Sequence, residues 1–147
     1  MSRHASSTFV VRRWDDEPYE RIAEAGAGGG GGGARLSRVS VTNVFEGDIE
    51  GEGRLEYVMA VPDGESASFA GIQRIAGSVG GLRGSLVLQT VGTFGGGVIQ
   101  GTWSVVPGMG TGELAGLRGQ GMVLSHGDGR AEVTLEYEVG AVTAAAG

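Results

Sequence analysis

The sequence predicts an all-β fold, an eight-stranded antiparallel β-barrel of the up-and-down type. Apolar and polar residues alternate along most of the chain, as they do in half-buried strands. The strand patterns follow one another through short turn segments, without the long helices that would connect parallel strands. The chain has 31 glycines in 147 residues, and glycines inside strand patterns are typical of the bent strands of a small barrel.

The N-terminal part is the least regular. Residues 8–14 (TFVVRRW) read as a strand, and residues 1–6 before them are expected to form a loose tail. The next segment, DDEPYERIAEAG, fits either a short helix with Pro18 in its first turn or an irregular strand. Six consecutive glycines, residues 28–33, then predict a flexible loop over residues 25–35, because ordering so many glycines costs much entropy.

The remaining strand patterns share a period of two and end in turn motifs such as PDG, GGL and HGDG. The clearest alternation is near the C-terminus, where Val133, Leu135 and Tyr137 are opposed to polar neighbours. The chain is expected to form one domain over residues 1–147. The strand patterns lie at residues 39–46, 54–59, 68–79, 84–94, 98–106, 112–125 and 132–139.

The segment PGMGTGELAGLRGQG, residues 107–121, resembles a dinucleotide-binding turn in its spacing of glycines. Such a turn must follow a strand and begin a helix whose N-terminus meets the phosphates. The glycines at 116, 119 and 121 are unfavourable for that helix. We therefore interpret the segment as a turn over residues 107–110 followed by a coiled strand. Glu113 lies beside Leu114 in this strand pattern and is a candidate inward-facing carboxylate.

Composition argues against several classes of function. With 11 basic and 17 acidic residues the formal net charge is −6, so no basic surface is available to bind nucleic acid. The chain has no cysteine, which excludes disulfides and thiolate sites and is compatible with the cytoplasm. No apolar run approaches the roughly 18 residues that span a bilayer, and the N-terminus lacks a signal peptide. We expect a cytoplasmic protein that does not bind membranes.

No motif predicts a catalytic, metal or cofactor site. His126 and Asp128 supply two ligands in a turn, short of the three or four that metal sites usually have. Ser125 is adjacent to His126, so the two side chains point to opposite faces of a strand and cannot form a nucleophile and base pair. Acidic residues at 46, 48, 50 and 52 fall on one face of a regular strand. Such a face is more often a solvated outer surface than a cation site.

Polar side chains on the faces that otherwise read apolar are the candidate ligand-binding residues. Burying a polar group is costly unless it forms hydrogen bonds, so each such residue is either satisfied within the core or serves a ligand. Large aromatic residues with a polar atom commonly line cavities. Together with Glu113, the candidates are Asn43, Tyr57, Gln73, Trp103 and Tyr137.

Four segments carry a resemblance to a family of small bacterial proteins of unassigned function. They are Trp14–Asp15, FEGDIEGEG at 45–53, GIQRIAGSVGGLRGSLVLQ at 71–89 and VVPGMGTGELAGLRG at 105–119. That family is similar in fold to plant allene oxide cyclase and dirigent proteins, which implies an eight-stranded antiparallel barrel with a cavity. Allene oxide cyclases guide a cyclisation by confining a lipid epoxide. Family members often have glutamate where this chain has Gln73, so if the family has a catalytic carboxylate at this position, this chain lacks it.

Two functions therefore remain open from the sequence. The first is a small-molecule-binding barrel that takes a hydrophobic ligand and guides a cyclisation or isomerisation by confinement. The second is a non-catalytic module with a fully packed barrel whose outer face mediates oligomerisation. We expect a homo-oligomer in either case.

Overall fold

The computed structural model describes residues 2–22 and 33–140, which form β-strands and turns. No helix that could cross a membrane occurs among these residues. The strands, in chain order, are β1 (Arg3–Arg21), β2 (Arg35–Gly47), β3 (Ile49–Val61), β4 (Ser66–Val79), β5 (Leu82–Gly95), β6 (Val98–Val105), β7 (Thr111–Gly112), β8 (Leu117–Ser125) and β9 (Arg130–Val139).

Eight of these strands close into an antiparallel barrel. Strands β1 to β6 pair in chain order, β6 pairs with β8, and β8 pairs with β9. The barrel closes because β9 also pairs with β1, from Arg3↔Tyr137 to Val10↔Arg130. The two-residue strand β7 lies beside the start of β5, where β6 has already ended. The predicted eight-stranded antiparallel barrel is therefore confirmed.

The N-terminal strand is longer than the sequence indicated. Residues 3–6 belong to β1 and pair with β9, so the expected loose tail is wrong for them. The segment after Trp14 continues β1 and pairs with β2, which selects the irregular strand over the helix. Register shifts at Val11/Arg13 and Pro18/Glu20 interrupt the alternation of inward and outward side chains along this strand. Of the predicted flexible loop 25–35, residues 25–32 lie outside the described residues and Arg35 begins β2.

The glycine-rich segment forms a turn where a coiled strand was expected. After β7, the amide of Leu114 donates to the carbonyl of Thr111 and the amide of Ala115 donates to that of Gly112. The amide of Leu117 donates in turn to the carbonyl of Leu114, and β8 begins at Leu117. Because residues 113–116 are outside any strand, the alternation of inward and outward side chains does not apply to them.

The interior of the barrel is packed at one end and hollow at the other. The packed end is a cluster of 14 buried residues. A smaller cluster of Val39, Val41 and Tyr57 lies toward the other end. The rings of Phe9, Phe45 and Trp103 follow one another across the interior, with centroids 5.1 Å and 6.0 Å apart. The packed residues are Ala5, Phe45, Ile49, Ile75, Val79, Leu86, Leu88, Trp103, Val105, Leu114, Leu117, Val133, Leu135 and Tyr137.

Candidate functional site

The hollow end of the barrel is a cavity of about 420 Å³. This volume lies in the range of roughly 300–1,000 Å³ that small-molecule sites occupy. Trp103 lines the cavity and also belongs to the packed cluster, so it marks the inner limit of the open space. Most of the wall is apolar, and its main aliphatic and aromatic residues are Val11, Val41, Leu55, Met59, Phe69 and Phe94.

Two carboxamides lie at the inner end of this cavity. Asn43 comes from β2 and Gln73 from β4, and their side chains are 0% and 1% exposed. The Nε2 atom of Gln73 donates a hydrogen bond of 3.2 Å to Oδ1 of Asn43. Both residues also line the cavity. The structure thus brings together two of the polar residues that the sequence singled out.

Gly53 of β3 makes room for this pair. Strand β3 lies between β2 and β4, with Gly53 opposite both Asn43 and Ile75. A Cβ atom on Gly53 would collide with Asn43 Oδ1, with Gln73 Nε2, and with the ring of Phe45 at 2.7 Å. Because Gly53 has no side chain, the two carboxamides can meet across the strand that separates them.

The pair leaves one donor unused. Nδ2 of Asn43 is buried and has no hydrogen-bond partner. Leaving a buried donor without a partner costs about 1–3 kcal/mol, and native structures do so rarely. Because Asn43 also lines the cavity, this donor borders the open space.

Tyr57 is the third polar group of the cavity. It pairs across the sheet with Gly71, and its ring contacts those of Trp14 and Phe69, at centroid distances of 5.9 Å and 5.3 Å. Burial raises the pKa of Tyr57 above its ordinary value, and the carboxylate of Asp16 raises this pKa further. The phenol is therefore a neutral donor near physiological pH and cannot act as a base there.

Two sequence-predicted site residues lie elsewhere. Glu113 is exposed, and its Oε1 atom accepts a hydrogen bond of 3.0 Å from the amide of Arg83, so the expected inward-facing carboxylate is wrong. It lies in the turn after β7, where strand alternation gives no orientation. Tyr137 is buried and faces inward, but it belongs to the packed cluster and does not line the cavity.

The structure adds polar cavity residues that the sequence analysis did not select. Thr90 and Ser125 are buried and line the wall, and Arg35 and Trp14 also contribute to the lining. Thr90 has the strand parity of Leu86 and Leu88, so the alternation in the sequence already indicates that it faces the interior. Arg35 is separated from the glycine run by Ala34 alone, so the sequence pattern does not indicate where its strand begins.

The acidic residues form no metal-binding cluster. Glu46, Asp48, Glu50 and Glu52 span the β2–β3 hairpin and are all exposed. Asp48 accepts a hydrogen bond of 2.9 Å from the amide of Ser6. In the part of the chain that the structure describes, no three His, Cys, Asp or Glu side chains are grouped to hold a metal ion.

Comparisons with known proteins identify similar sequences and folds. A family model described as a protein of unknown function (DUF3224) matches residues 5–137. The crystal structure of a protein with unknown function from the DUF3224 family of Shewanella oneidensis MR-1 is similar, with a TM-score of 0.71 and 24% identity. The match covers 96% of this chain and 100% of that one, and at this identity it bears on the fold alone. A comparison with curated proteins finds no match.

Tyr57 provides a test of the cavity environment. Since its pKa in the folded state exceeds its ordinary value of 10.0, its contribution to stability is complete below pH 10 and is lost as the pH rises further. We expect Tyr57→Phe to show a smaller loss of stability above pH 10 than the wild type, measured by urea unfolding. A phenolate absorbance near pH 10 that is present in the folded wild type and absent from folded Tyr57→Phe would contradict the buried environment.

Proposed function

This chain belongs to the DUF3224 family of proteins of unknown function, and we propose that it binds a small, mainly apolar molecule inside its barrel. The observation that carries the proposal is the unpartnered Nδ2 atom of Asn43 at the inner end of an apolar cavity. A barrel that served only as a stable scaffold would gain from filling this space, because unfilled volume lowers stability.

The ligand chemistry follows from the wall and from the donors. Aliphatic and aromatic side chains favour an apolar body, since they offer it contact and removal from water. Asn43 Nδ2 is suited to bind one acceptor oxygen, such as that of a ketone, an ester or an ether. The hydroxyl of Tyr57 is a second neutral donor. The proposed ligand is therefore an elongated hydrocarbon that carries at least one such oxygen.

A cyclisation or isomerisation is the chemistry that fits such a site, as the resemblance to allene oxide cyclase barrels implies. Confinement in a shaped apolar cavity lowers the entropic cost of bringing two parts of one molecule together. The roles of Asn43 and Tyr57 would be to orient an oxygen by hydrogen bonds. Proton transfer by Tyr57 near neutral pH is not part of the proposal, because its pKa is raised.

Filling the cavity should abolish binding. Ala67 of β4 is 7% exposed and lines the cavity, so Ala67→Leu places a larger side chain inside it. We expect this variant to bind the neutral dye Nile red at least about tenfold more weakly than the wild type, a loss of roughly 1.4 kcal/mol. The matched control is Ala76→Leu, on the exposed face of the same strand, which should bind as the wild type does. Equal binding by both variants, measured by fluorescence titration, would place the dye outside the barrel.

Asn43 should select ligands that contain oxygen. We expect a long-chain methyl ketone to displace Nile red about tenfold more effectively than the alkane of the same length, because a hydrogen bond to a desolvated donor is worth about 1–3 kcal/mol. In Asn43→Leu this preference should disappear while alkane binding remains. Thermal unfolding of the variant serves as the folding control. A ketone preference that survives in a folded Asn43→Leu would exclude Asn43 as the donor.

Self-association is a second proposal, and it rests on the charge pattern of the outer surface. A cross-strand row of Ala70, Val91, Thr102 and Met122 carries no charge on the outer face of β4, β5, β6 and β8. Val91 is 58% and Met122 62% exposed. Because each copy has a formal charge of −6, this row is where two copies would repel each other least. The proposed partner is a second copy of the chain.

Light scattering during gel filtration tests the self-association. We expect a dimer for the wild type and a monomer for Val91→Glu, which puts a charge into the uncharged row. Val10→Glu is the matched control, since Val10 is 46% exposed on the outer face of β1. A wild-type monomer at all concentrations, or dissociation by both variants, would refute this interface.

The cytoplasmic location expected from the composition stays a prediction. The chain has no cysteine and needs no oxidising compartment for disulfides, which is the one feature that supports this proposal.

A further inference from the structure

Two arginines lie opposite each other at the open end of the barrel. Arg21 is the last residue of β1 and Arg35 the first residue of β2, and they are register partners. Side chains of directly paired residues project from the same face of a sheet. Arg35 lines the cavity, so this face is the one that leads into it. We refer to Arg21 and Arg35 as the arginine pair.

No acidic partner of the arginine pair is found among residues 2–22 and 33–140. Among the described residues, the ion pair that forms joins Arg13 and Asp15 at 2.9 Å on the outer surface, and it involves neither member of the arginine pair. Like charges directly opposite each other across two strands are destabilising. An anion between the two guanidinium groups would remove the repulsion.

Glu20 precedes Arg21 and pairs with Leu36, so it lies on the opposite face of the sheet from the arginine pair. Asp63 is in the β3–β4 turn beyond Val61, which pairs with Arg35. The Oδ1 atom of Asp63 accepts hydrogen bonds of 3.0 Å from the amides of Glu65 and Ser66, and these bonds lower its pKa. Its carboxylate therefore forms hydrogen bonds within the turn and no ion pair with Arg21 or Arg35.

Asp16 lies in β1, and its strand parity directs it toward the interior. It pairs with Val39, which lies four residues beyond Arg35 on β2. At a rise of about 3.3 Å per residue, this places Asp16 about 13 Å from Arg35 along the strand. The negative charge of Asp16 acts on the phenol of Tyr57 and raises the pKa of that phenol. Neither Asp63 nor Asp16 therefore forms an ion pair with the arginine pair.

We propose that the cavity ligand is an amphipathic carboxylate, with its chain in the barrel and its carboxylate bound by Arg21 and Arg35. This inference rests on the proposed function and adds the charge of the ligand to it. Guanidinium groups bind carboxylates through two parallel hydrogen bonds. A single negative charge fits better than the two of a phosphate monoester, because most of the remaining cavity wall is apolar.

The dimensions suit an elongated molecule. Arg35 and Asn43 are eight residues apart on β2, which corresponds to roughly 26 Å along the strand. Strands of small barrels are tilted by about 35–45°, so the rise along the barrel axis is about 20 Å. A fatty-acid-like chain of medium length, extended by the reach of the arginine side chains, spans this distance from the rim to Asn43.

The test compares dodecanoate, its methyl ester and dodecylammonium as competitors of Nile red at concentrations where all are monomeric. For the wild type we expect dodecanoate to bind about tenfold more tightly than the ester, and dodecylammonium to bind most weakly. Arg35→Gln should abolish the preference, so that the variant binds dodecanoate no more tightly than it binds the ester. Arg35→Lys should retain part of the preference, because it keeps the charge.

Arg38→Gln is the matched control. Arg38 lies on the outer face of the same strand, over the ring of Tyr19 at 5.9 Å from its centroid, and its loss changes the net charge by the same amount. If Arg38→Gln weakens dodecanoate binding as much as Arg35→Gln does, the effect is a general one of net charge and the proposed site is wrong. Raising the salt concentration should weaken the binding of dodecanoate and not that of the ester.

The outcomes separate this inference from the proposed function. Equal affinities of the wild type for dodecanoate and its ester would overturn the carboxylate site and leave the apolar cavity function standing. A folded wild type that binds neither the dye nor any of the three competitors would overturn both.

Discussion

The pairing of β9 with β1 is the interaction on which the rest of the structure depends. It joins the last strand of the meander to the first, from Arg3↔Tyr137 to Val10↔Arg130, and turns an open sheet into a barrel. Closure gives every strand one face toward a shared interior, and it removes the two exposed edges of an open sheet. The interior of an eight-stranded barrel is just wide enough for side chains to fill or for one small ligand. In this protein both cases occur, one at each end.

The boundary between the packed and the hollow end is formed by aromatic rings and by a carboxamide pair. Phe45 and Trp103 are among the large side chains that fill the packed half. Beyond them, Gly53 contributes no side chain, and Asn43 and Gln73 occupy the space that it leaves. A polar pair with an unused donor is a costly way to end a hydrophobic core. That cost is the physical basis for assigning the cavity a ligand with an acceptor oxygen.

Charge is distributed differently on the inner and the outer face of the barrel. The cavity wall is largely apolar and includes Arg35, which pairs with Arg21, and neither arginine forms an ion pair with an acidic residue in the part of the chain that the structure describes. The outer surface carries acidic residues on β3 and β9, such as Glu52 and Glu132, and an uncharged row across β5 and β6. Each of these surfaces comes from the same strands, because neighbouring residues point in opposite directions. One set of strands therefore carries both the proposed ligand site on the inside and the proposed self-association surface on the outside.

Strand alternation predicted much of the candidate site. It assigned Asn43, Tyr57, Gln73 and Trp103 to the inner face, and the structure has all four lining the cavity. Their use in binding stays a prediction. Tyr137 shows the limit of this reasoning: alternation gives the face of a residue but not its height along the barrel axis. Glu113 shows a second limit of this reasoning, because it lies in a turn where side chains do not alternate between two faces.

The sequence by itself determined the all-β class, the number of barrel strands and the inward face of most strands, because these follow from local periodicity and turn residues. The tertiary structure alone decided which inward residues meet. Gln73 reaches Asn43 across Gly53 only because three strands are held in one register, and Arg21 faces Arg35 only after two register shifts in β1. Register between strands depends on long-range closure, which no local pattern in the sequence records.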